Sequence, residues 1–233
     1  MKCALMISGL PRTMEFCFPS QKKHILDVYN PDVFICSVEQ EEKFRELYDP
    51  VDIEIYSHEF IQSQFGERVA KYTHSQTQAW RDLAANWMLL RCSEMVKKRG
   101  EYDVIFSTRP DIKFLSVAQV GELEDNTVYA PRVDALHCLP DDRGLHFGGY
   151  SFQLCWGKSD VMHKLCQYYH LSDQIYDEAG LWHAEIIAKL LCEKLGIKRK
   201  MVEIDMMIIR GTLENLLSTN LKPLALFPEY NEE

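Results

Sequence analysis

The sequence has no cysteine pair in C-x-x-C spacing, no long apolar run, and fewer basic than acidic residues. Its 26 Lys and Arg stand against 35 Asp and Glu, a net charge of −9, which argues against a basic surface for DNA or RNA. No stretch approaches the roughly 18 consecutive apolar residues that identify a membrane-spanning helix. We therefore expect no nucleic-acid partner and no membrane span.

Several catalytic signatures are also missing. The chain contains no G-x-S-x-G, no G-x-x-x-x-G-K-[ST], no G-x-G-x-x-G and no H-E-x-x-H segment. Their absence argues against a nucleophile elbow, a P-loop, a dinucleotide fingerprint and a zinc-protease helix. Catalysis by a Cys/His pair stays open, because no local signature distinguishes it.

The eight cysteines are scattered along the chain, and no signal-peptide pattern opens it. Both features favour a reduced compartment, so we expect a cytoplasmic protein whose cysteines are mostly small core residues. A zinc site is the alternative interpretation, because Cys155, His163 and Cys166 would be able to converge on one ion.

Short apolar segments without alternation are separated by helical patterns, which is typical of a mainly parallel sheet covered on both faces. The 233 residues, 46% of them hydrophobic, are enough for one α/β domain with a sizeable core. We predict strands over 3–8, 32–37, 53–56, 102–107, 127–131, 151–156 and 202–209. We predict helices over 19–29, 41–48, 60–99 with a break near 72–74, 159–169 and 181–195, with a linker around 172–180.

The first predicted strand runs into Ser8-Gly9-Leu10-Pro11-Arg12-Thr13. In open α/β sheets, ligands bind beyond the carboxyl ends of the strands. Gly9 would let the backbone approach a ligand closely, and Arg12 would be able to grip a phosphate with its planar guanidinium. A plain strand-to-helix turn with a surface arginine is the equally weighted alternative.

The fourth predicted strand ends in Ser107-Thr108-Arg109-Pro110-Asp111. Alternation places Arg109 and Asp111 on one face, where they would form an ion pair or meet a ligand together. A diphosphate with a divalent cation suits the second arrangement, since a carboxylate is a hard ligand for Mg²⁺ or Mn²⁺ and a guanidinium offsets phosphate charge.

A polar stretch follows in the C-terminal half. Its members Asp141, Asp142, Arg143, Gly148 and Gly149 combine carboxylates, a cation and glycines, a set suited to covering a sugar. A solvated charged loop is the alternative interpretation.

A second pair of polar residues opens the last predicted helix. His183 and Glu185 stand at its first turn, where a carboxylate is also favoured by the helix dipole alone.

These segments together resemble a known group of enzymes. Residues 4–13 look like the first strand and loop of GT-A-type glycosyltransferases encoded in bacterial capsule loci and large DNA viruses. Residues 102–114 are similar to that group's Tyr-Asp…Arg-x-Asp…Phe segment, in which Arg-x-Asp takes the place of the usual Asp-x-Asp metal motif. The order of Tyr-Ala-Pro at 129–131, Phe-Gly-Gly-Tyr-Ser at 147–151 and His-x-Glu at 183–185 also fits.

The resemblance implies a Rossmann-like GT-A fold with a mixed, mainly parallel sheet flanked by helices. The single catalytic domain would consist of a nucleotide-binding half, 1–115, and an acceptor-side half, 116–233. Its reaction would move a hexosyl or deoxyhexosyl group from a nucleoside-diphosphate sugar to a glycan hydroxyl, with Mn²⁺ or Mg²⁺ as cofactor.

The resemblance also implies residue roles. Donor or acceptor binding would involve Ser8, Gly9, Arg12, Arg109, Asp141, Arg143, Gly148 and Gly149. The metal ligands would be Asp111 and His183. Asp142 and Glu185 are the candidates for the carboxylate that deprotonates the acceptor.

Two other functions compete with sugar transfer. The loop at 8–13 also has features of a sulfotransferase phosphate loop, although Glu15 would repel the phosphate and the further glycine of such a loop is missing. A non-enzymatic protein-binding module is the other candidate.

Overall fold

The computed structural model describes residues 1–72, 76–131, 153–179 and 184–209. Its centre is a seven-stranded sheet of order β3-β2-β1-β4-β7-β6-β8, in which β7 runs opposite to the other six strands. A short antiparallel pair, β5 and β9, lies beside it. The strands are β1 (Cys3–Gly9), β2 (Asp32–Val38), β3 (Asp52–Tyr56), β4 (Val104–Thr108), β5 (Ile112–Phe114), β6 (Thr127–Pro131), β7 (Leu154–Gly157), β8 (Lys198–Val202) and β9 (Met206–Ile208).

Helices flank this sheet, so an α/β fold with a mixed, mostly parallel sheet is confirmed. The helices are α1 (Met14–Gln21), α2 (Asp27–Tyr29), α3 (Glu41–Tyr48), α4 (His58–Val69), α5 (Gln76–Arg99), α6 (Ser159–Leu165), α7 (Tyr168–Ala179) and α8 (Ala184–Leu195). The predicted break in the 60–99 helical stretch is confirmed between α4 and α5.

Both faces of the central strands are buried, which explains why their sequences do not alternate. In β1, Ala4 and Met6 join a core with residues of α4, α5, α7 and α8. Leu5 and Ile7 face the opposite core, which includes residues of α1, α3 and β5.

The predicted start of the first helix is wrong. The helix begins at Met14 rather than near Pro19, which lies inside it. A proline has no N–H for the carbonyl four residues earlier, so it is expected in a first turn rather than an interior one. A π-helical turn over Lys22–Leu26 follows before α2.

The predicted linker around 172–180 is also wrong where the structure describes it. Residues 168–179 form α7 because tertiary contacts hold this polar segment. Ile175 is fully buried, and Asp173 accepts two hydrogen bonds from Arg68 Nε at 2.9 and 2.8 Å.

The predicted strand 202–209 is two separate strands. β8 pairs with β6 in the large sheet, whereas β9 pairs with β5. Between them the Asp205 carbonyl accepts the Leu115 N–H at 2.8 Å, which helps turn the chain from one sheet to the other.

Two glycines, Gly157 and Gly66, differ in how closely other atoms approach them. A Cβ at Gly157 would lie 2.9 Å from the Thr127 carbonyl oxygen, whereas one at Gly66, inside α4, would meet nothing within 4 Å. Gly157→Ala is expected to lower the free energy of unfolding by about 1–3 kcal/mol, because the added methyl group would overpack the contact between β6 and β7. Gly66→Ala is expected to raise it by about 0.5–1 kcal/mol through helix propensity. Urea denaturation of both variants checks the pair, and an unchanged Gly157→Ala would contradict the close approach.

None of the described helices is both long and apolar enough to cross a bilayer.

Candidate functional site

The strand order reverses next to β1. From β1 the chain builds β2 and β3 on one side, and β4 then pairs with β1 on its other side. In open α/β sheets the crevice at such a switch point, beyond the carboxyl ends of the strands, is the usual ligand site. The loops after β1 and β4 lie at this switch point, and they carry the predicted residues Gly9, Arg12, Arg109 and Asp111.

The loop after β1 contacts the loop after β4. Gly9 has φ +124°, a conformation that L side chains rarely adopt, and an added Cβ would lie 3.7 Å from Pro110 Cδ. The Gly9 carbonyl accepts the Ser37 hydroxyl at 2.6 Å. Ser8, predicted to bind substrate, is buried at the end of β1, whereas Arg12 is exposed. Arg12 forms no ion pair with the described residues.

Arg109 and Asp111 form a two-point ion pair. Arg109 Nε lies 2.8 Å from Asp111 Oδ1, and Nη2 lies 2.5 Å from Oδ2. The Asp111 side chain is 1% exposed and that of Arg109 is 36% exposed, so the cation stands at the rim and the anion beneath it. The pair lies in the turn between β4 and β5, and it realises the ion-pair alternative predicted from the sequence.

A buried glutamine holds this turn. Gln21, 1% exposed, donates from Nε2 to the carbonyls of Arg109 at 3.0 Å, Pro110 at 3.3 Å and Ile112 at 2.8 Å. Its Oε1 accepts the Tyr48 hydroxyl at 2.9 Å. Sequence reasoning missed Gln21, since a glutamine at the end of a helix carries no local signal of such a role.

The C-terminal segment also reaches the site. Ile209 N–H donates to the Asp111 carbonyl at 2.9 Å, and the Ile209 carbonyl accepts the Thr13 hydroxyl at 2.8 Å. Ile209 therefore links the start of α1 to the turn that carries Asp111. Thr13, the residue before α1, uses its hydroxyl for this contact and makes no side-chain cap for the helix.

The helix α1 begins at Met14, directly after the loop between Gly9 and Thr13. The N–H groups of a first helical turn carry partial positive charge and favour an anion. Lys113 lies close by, with Nζ 4.8 Å from the centre of the Phe16 ring in that turn. Glu15 is the opposing charge, and its Oε1 lies 3.6 Å from Lys43 Nζ.

The predicted metal ligand Asp111 does not fit a divalent ion in this arrangement. Both of its oxygens already accept hydrogen bonds from Arg109, and its side chain is almost fully buried. Each oxygen keeps a second lone pair, but Mg²⁺ usually retains several water ligands, and a side chain that is 1% exposed gives little access to a hydrated ion. No cluster of three or more His, Cys, Asp or Glu side chains able to hold a metal occurs within the described part of the chain.

Several predicted residues lie outside the described part: Asp141, Asp142, Arg143, Gly148, Gly149 and His183. Glu185 lies in α8, but its side chain is not among those described. Their predicted roles stay predictions.

The zinc alternative is wrong for the described residues: Cys155, His163 and Cys166 are all among them, and no group of three or more His, Cys, Asp or Glu side chains there is able to hold a metal. Cys155 and Cys166 are fully buried, and burial raises the pKa values of both thiols. His163 Nδ1 lies 2.7 Å from the Ser93 hydroxyl, a hydrogen bond within the protein. The seven described cysteines are all buried and free, which confirms that they are core residues.

His163 makes stability depend on pH. Burial, followed by the charge of Lys97, lowers the pKa of His163 from 6.5 to about 4. The unfolded chain therefore binds a proton near pH 6.5 that the folded protein does not take up until about pH 4. We expect the contribution of His163 to stability, complete above pH 6.5, to decline as the pH falls toward 4. Urea midpoints between pH 4 and 8 should fall less steeply in His163→Asn than in the wild type, and parallel curves would contradict the assignment.

A cleft of about 770 Å³ opens at the other end of the sheet, near the start of β4. Its lining mixes both charges and includes Lys97, Tyr102, Asp103, Lys158 and His163. It lies away from the switch point, and it carries none of the residues predicted to bind substrate.

Comparison with known proteins adds no assignment, because no protein-family model and no curated protein matches this chain.

Proposed function

We propose that the protein is a GT-A-type glycosyltransferase that moves a sugar from a nucleoside-diphosphate sugar to a glycan hydroxyl. The main support is the meeting of the Gly9 loop, the N-terminus of α1 and the Arg109 guanidinium at the topological switch point. Backbone N–H groups and an arginine are the groups that proteins use to bind a diphosphate.

In this proposal the donor diphosphate lies over the loop between Gly9 and Thr13. The positive φ of Gly9 shapes this loop, and exposed Arg12 reaches the phosphates. Arg109 presents its remaining N–H groups from the rim, held in place by Asp111 and by the turn that Gln21 fixes. Such preorganised donors stabilise charge that grows on a leaving group.

The reaction forms a bond between the acceptor oxygen and the anomeric carbon of the sugar. The bond from that carbon to the diphosphate oxygen breaks, and its electron pair stays on the departing nucleoside diphosphate. The acceptor proton passes to a carboxylate, the role predicted for Asp142 or Glu185.

Ligand-dependent melting tests the proposal. We expect one class of nucleoside-diphosphate sugar, in a panel that also contains adenosine phosphosulfate, to raise the melting temperature. A ligand at a hundred times its dissociation constant adds about 2.7 kcal/mol. The stabilising donor, mixed with candidate acceptor glycans, should then release its nucleoside diphosphate. A shift with the phosphosulfate alone would indicate a sulfotransferase instead, and no shift with any nucleotide would favour a protein-binding module.

A further inference from the structure

We infer that this site binds the nucleoside diphosphate through the protein's own cations and backbone, without a divalent metal ion bridging it to Asp111. The inference rests on the proposed function and concerns how that function handles charge. It departs from the metal role that the resemblance implies for Asp111.

Asp111 is closely bound by Arg109. Its two oxygens receive Nε and Nη2 of Arg109 at 2.8 and 2.5 Å, the two-point geometry in which guanidinium and carboxylate match best. The side chain is 1% exposed, and its backbone carbonyl is also taken by Ile209 N–H. To ligate a hydrated metal ion, the carboxylate would have to open its contact with Arg109 or admit the ion and its water to a closed turn. We therefore assign Asp111 as a positioning residue that orients Arg109.

Arg109 keeps hydrogen-bond donors that Asp111 does not use. A guanidinium has five N–H donors, and the contact with Asp111 uses only Nε and Nη2. The free donors belong to a side chain that is 36% exposed. Because Asp111 balances the charge of Arg109, this pair supplies directed hydrogen bonds rather than net positive charge.

Net positive charge comes from two other side chains. Arg12 is exposed in the loop between Gly9 and Thr13, and Lys113 Nζ lies 4.8 Å from the centre of the Phe16 ring. Neither forms an ion pair with the described residues, and Arg12 is exposed whereas Lys113 is half-buried. The dipole of α1 acts in the same direction.

One acidic group opposes them. Glu15 lies in the first turn of α1, is exposed, and has Lys43 Nζ 3.6 Å away, an ammonium that Glu15 shares with Glu46 at 3.4 Å. The described groups around the loop therefore leave an excess of positive charge. A metal ion bound by phosphate oxygens would supply the same charge, and Arg12 and Lys113 would replace it.

Isothermal titration with nucleoside diphosphates tests the inference. UDP, GDP, CDP and ADP are titrated into the full chain in EDTA and again in Mn²⁺. For the nucleotide that binds, we expect dissociation constants within about threefold of each other in the two buffers. Arg12→Gln should weaken binding in EDTA about tenfold, the effect of one charged hydrogen bond. Arg99→Gln is the matched control, since Arg99 is exposed at the far end of α5 and should leave affinity unchanged.

The outcomes separate the two proposals. Binding that requires Mn²⁺ would overturn the inference while supporting the proposed function. Metal-independent binding that Arg12→Gln leaves unchanged would overturn the role of Arg12 in the inference. Failure of every nucleoside diphosphate to bind in both buffers would overturn the proposed function itself.

Discussion

Arg109→Met is expected to lower the free energy of unfolding by about 3 kcal/mol at pH 7. The substitution leaves the Asp111 carboxylate, 1% exposed, without its two hydrogen-bond donors. Removing one partner of a buried ion pair costs about 3–5 kcal/mol, because an uncompensated charge stays in the protein. We expect the lower end of this range, since the Arg109 side chain is itself 36% exposed. Urea denaturation monitored by tryptophan fluorescence measures the change.

A double-mutant cycle supplies the control for this prediction. Arg109→Met together with Asp111→Leu removes both charges, so the loss should be much smaller than the sum of the two single losses. Strictly additive losses would contradict a direct pair. Asp32→Asn is the reference variant for an aspartate away from the site. Asp32 accepts a hydrogen bond from the Tyr102 hydroxyl at 2.7 Å.

Gln21→Met is expected to lower the free energy of unfolding by about 2–3 kcal/mol and to weaken nucleotide binding. Methionine has a similar length but donates nothing to the carbonyls of Arg109, Pro110 and Ile112. Each buried polar group left unsatisfied costs about 1–3 kcal/mol, and partial relaxation keeps the total below the sum. Because the same turn orients Arg109, the affinity measured by titration should fall together with stability.

Tyr48→Phe is the matched control for Gln21. It removes only the 2.9 Å hydrogen bond to Gln21 Oε1, at a cost of about 1 kcal/mol, and keeps the ring contact with Phe18. Nucleotide affinity should be nearly unchanged in this variant. Wild-type affinity in Gln21→Met would show that the turn keeps its shape without the glutamine.

The strands were predictable because their signal is local. Segments such as 3–8, 32–37 and 127–131 consist mainly of apolar residues without alternation, and the structure buries both faces of β1, β2 and β6. α7 was not predictable in the same way. Its segment is polar, and it is stabilised by Arg68, which lies 105 residues away from Asp173 in the sequence.

The pairing of Arg109 with Asp111 was foreseen as one of two alternatives, because residues two apart in an extended segment share a face. Which alternative holds depends on burial. The turn that carries Asp111 is bonded by Gln21 and by Ile209. Gln21 lies 90 residues before Asp111 in the sequence, and Ile209 lies 98 residues after it. No local pattern encodes contacts between positions so distant.

The sequence by itself determined the α/β class, the mainly parallel sheet and the two loops that flank the candidate site. These properties follow from hydrophobic periodicity, glycine and proline, which act over a few residues. Only the tertiary structure decided that β7 runs antiparallel, that β8 and β9 belong to different sheets, and that Arg109 occupies both oxygens of Asp111. The reason is physical: strand direction and the partner of a buried charge depend on which distant segments pack together.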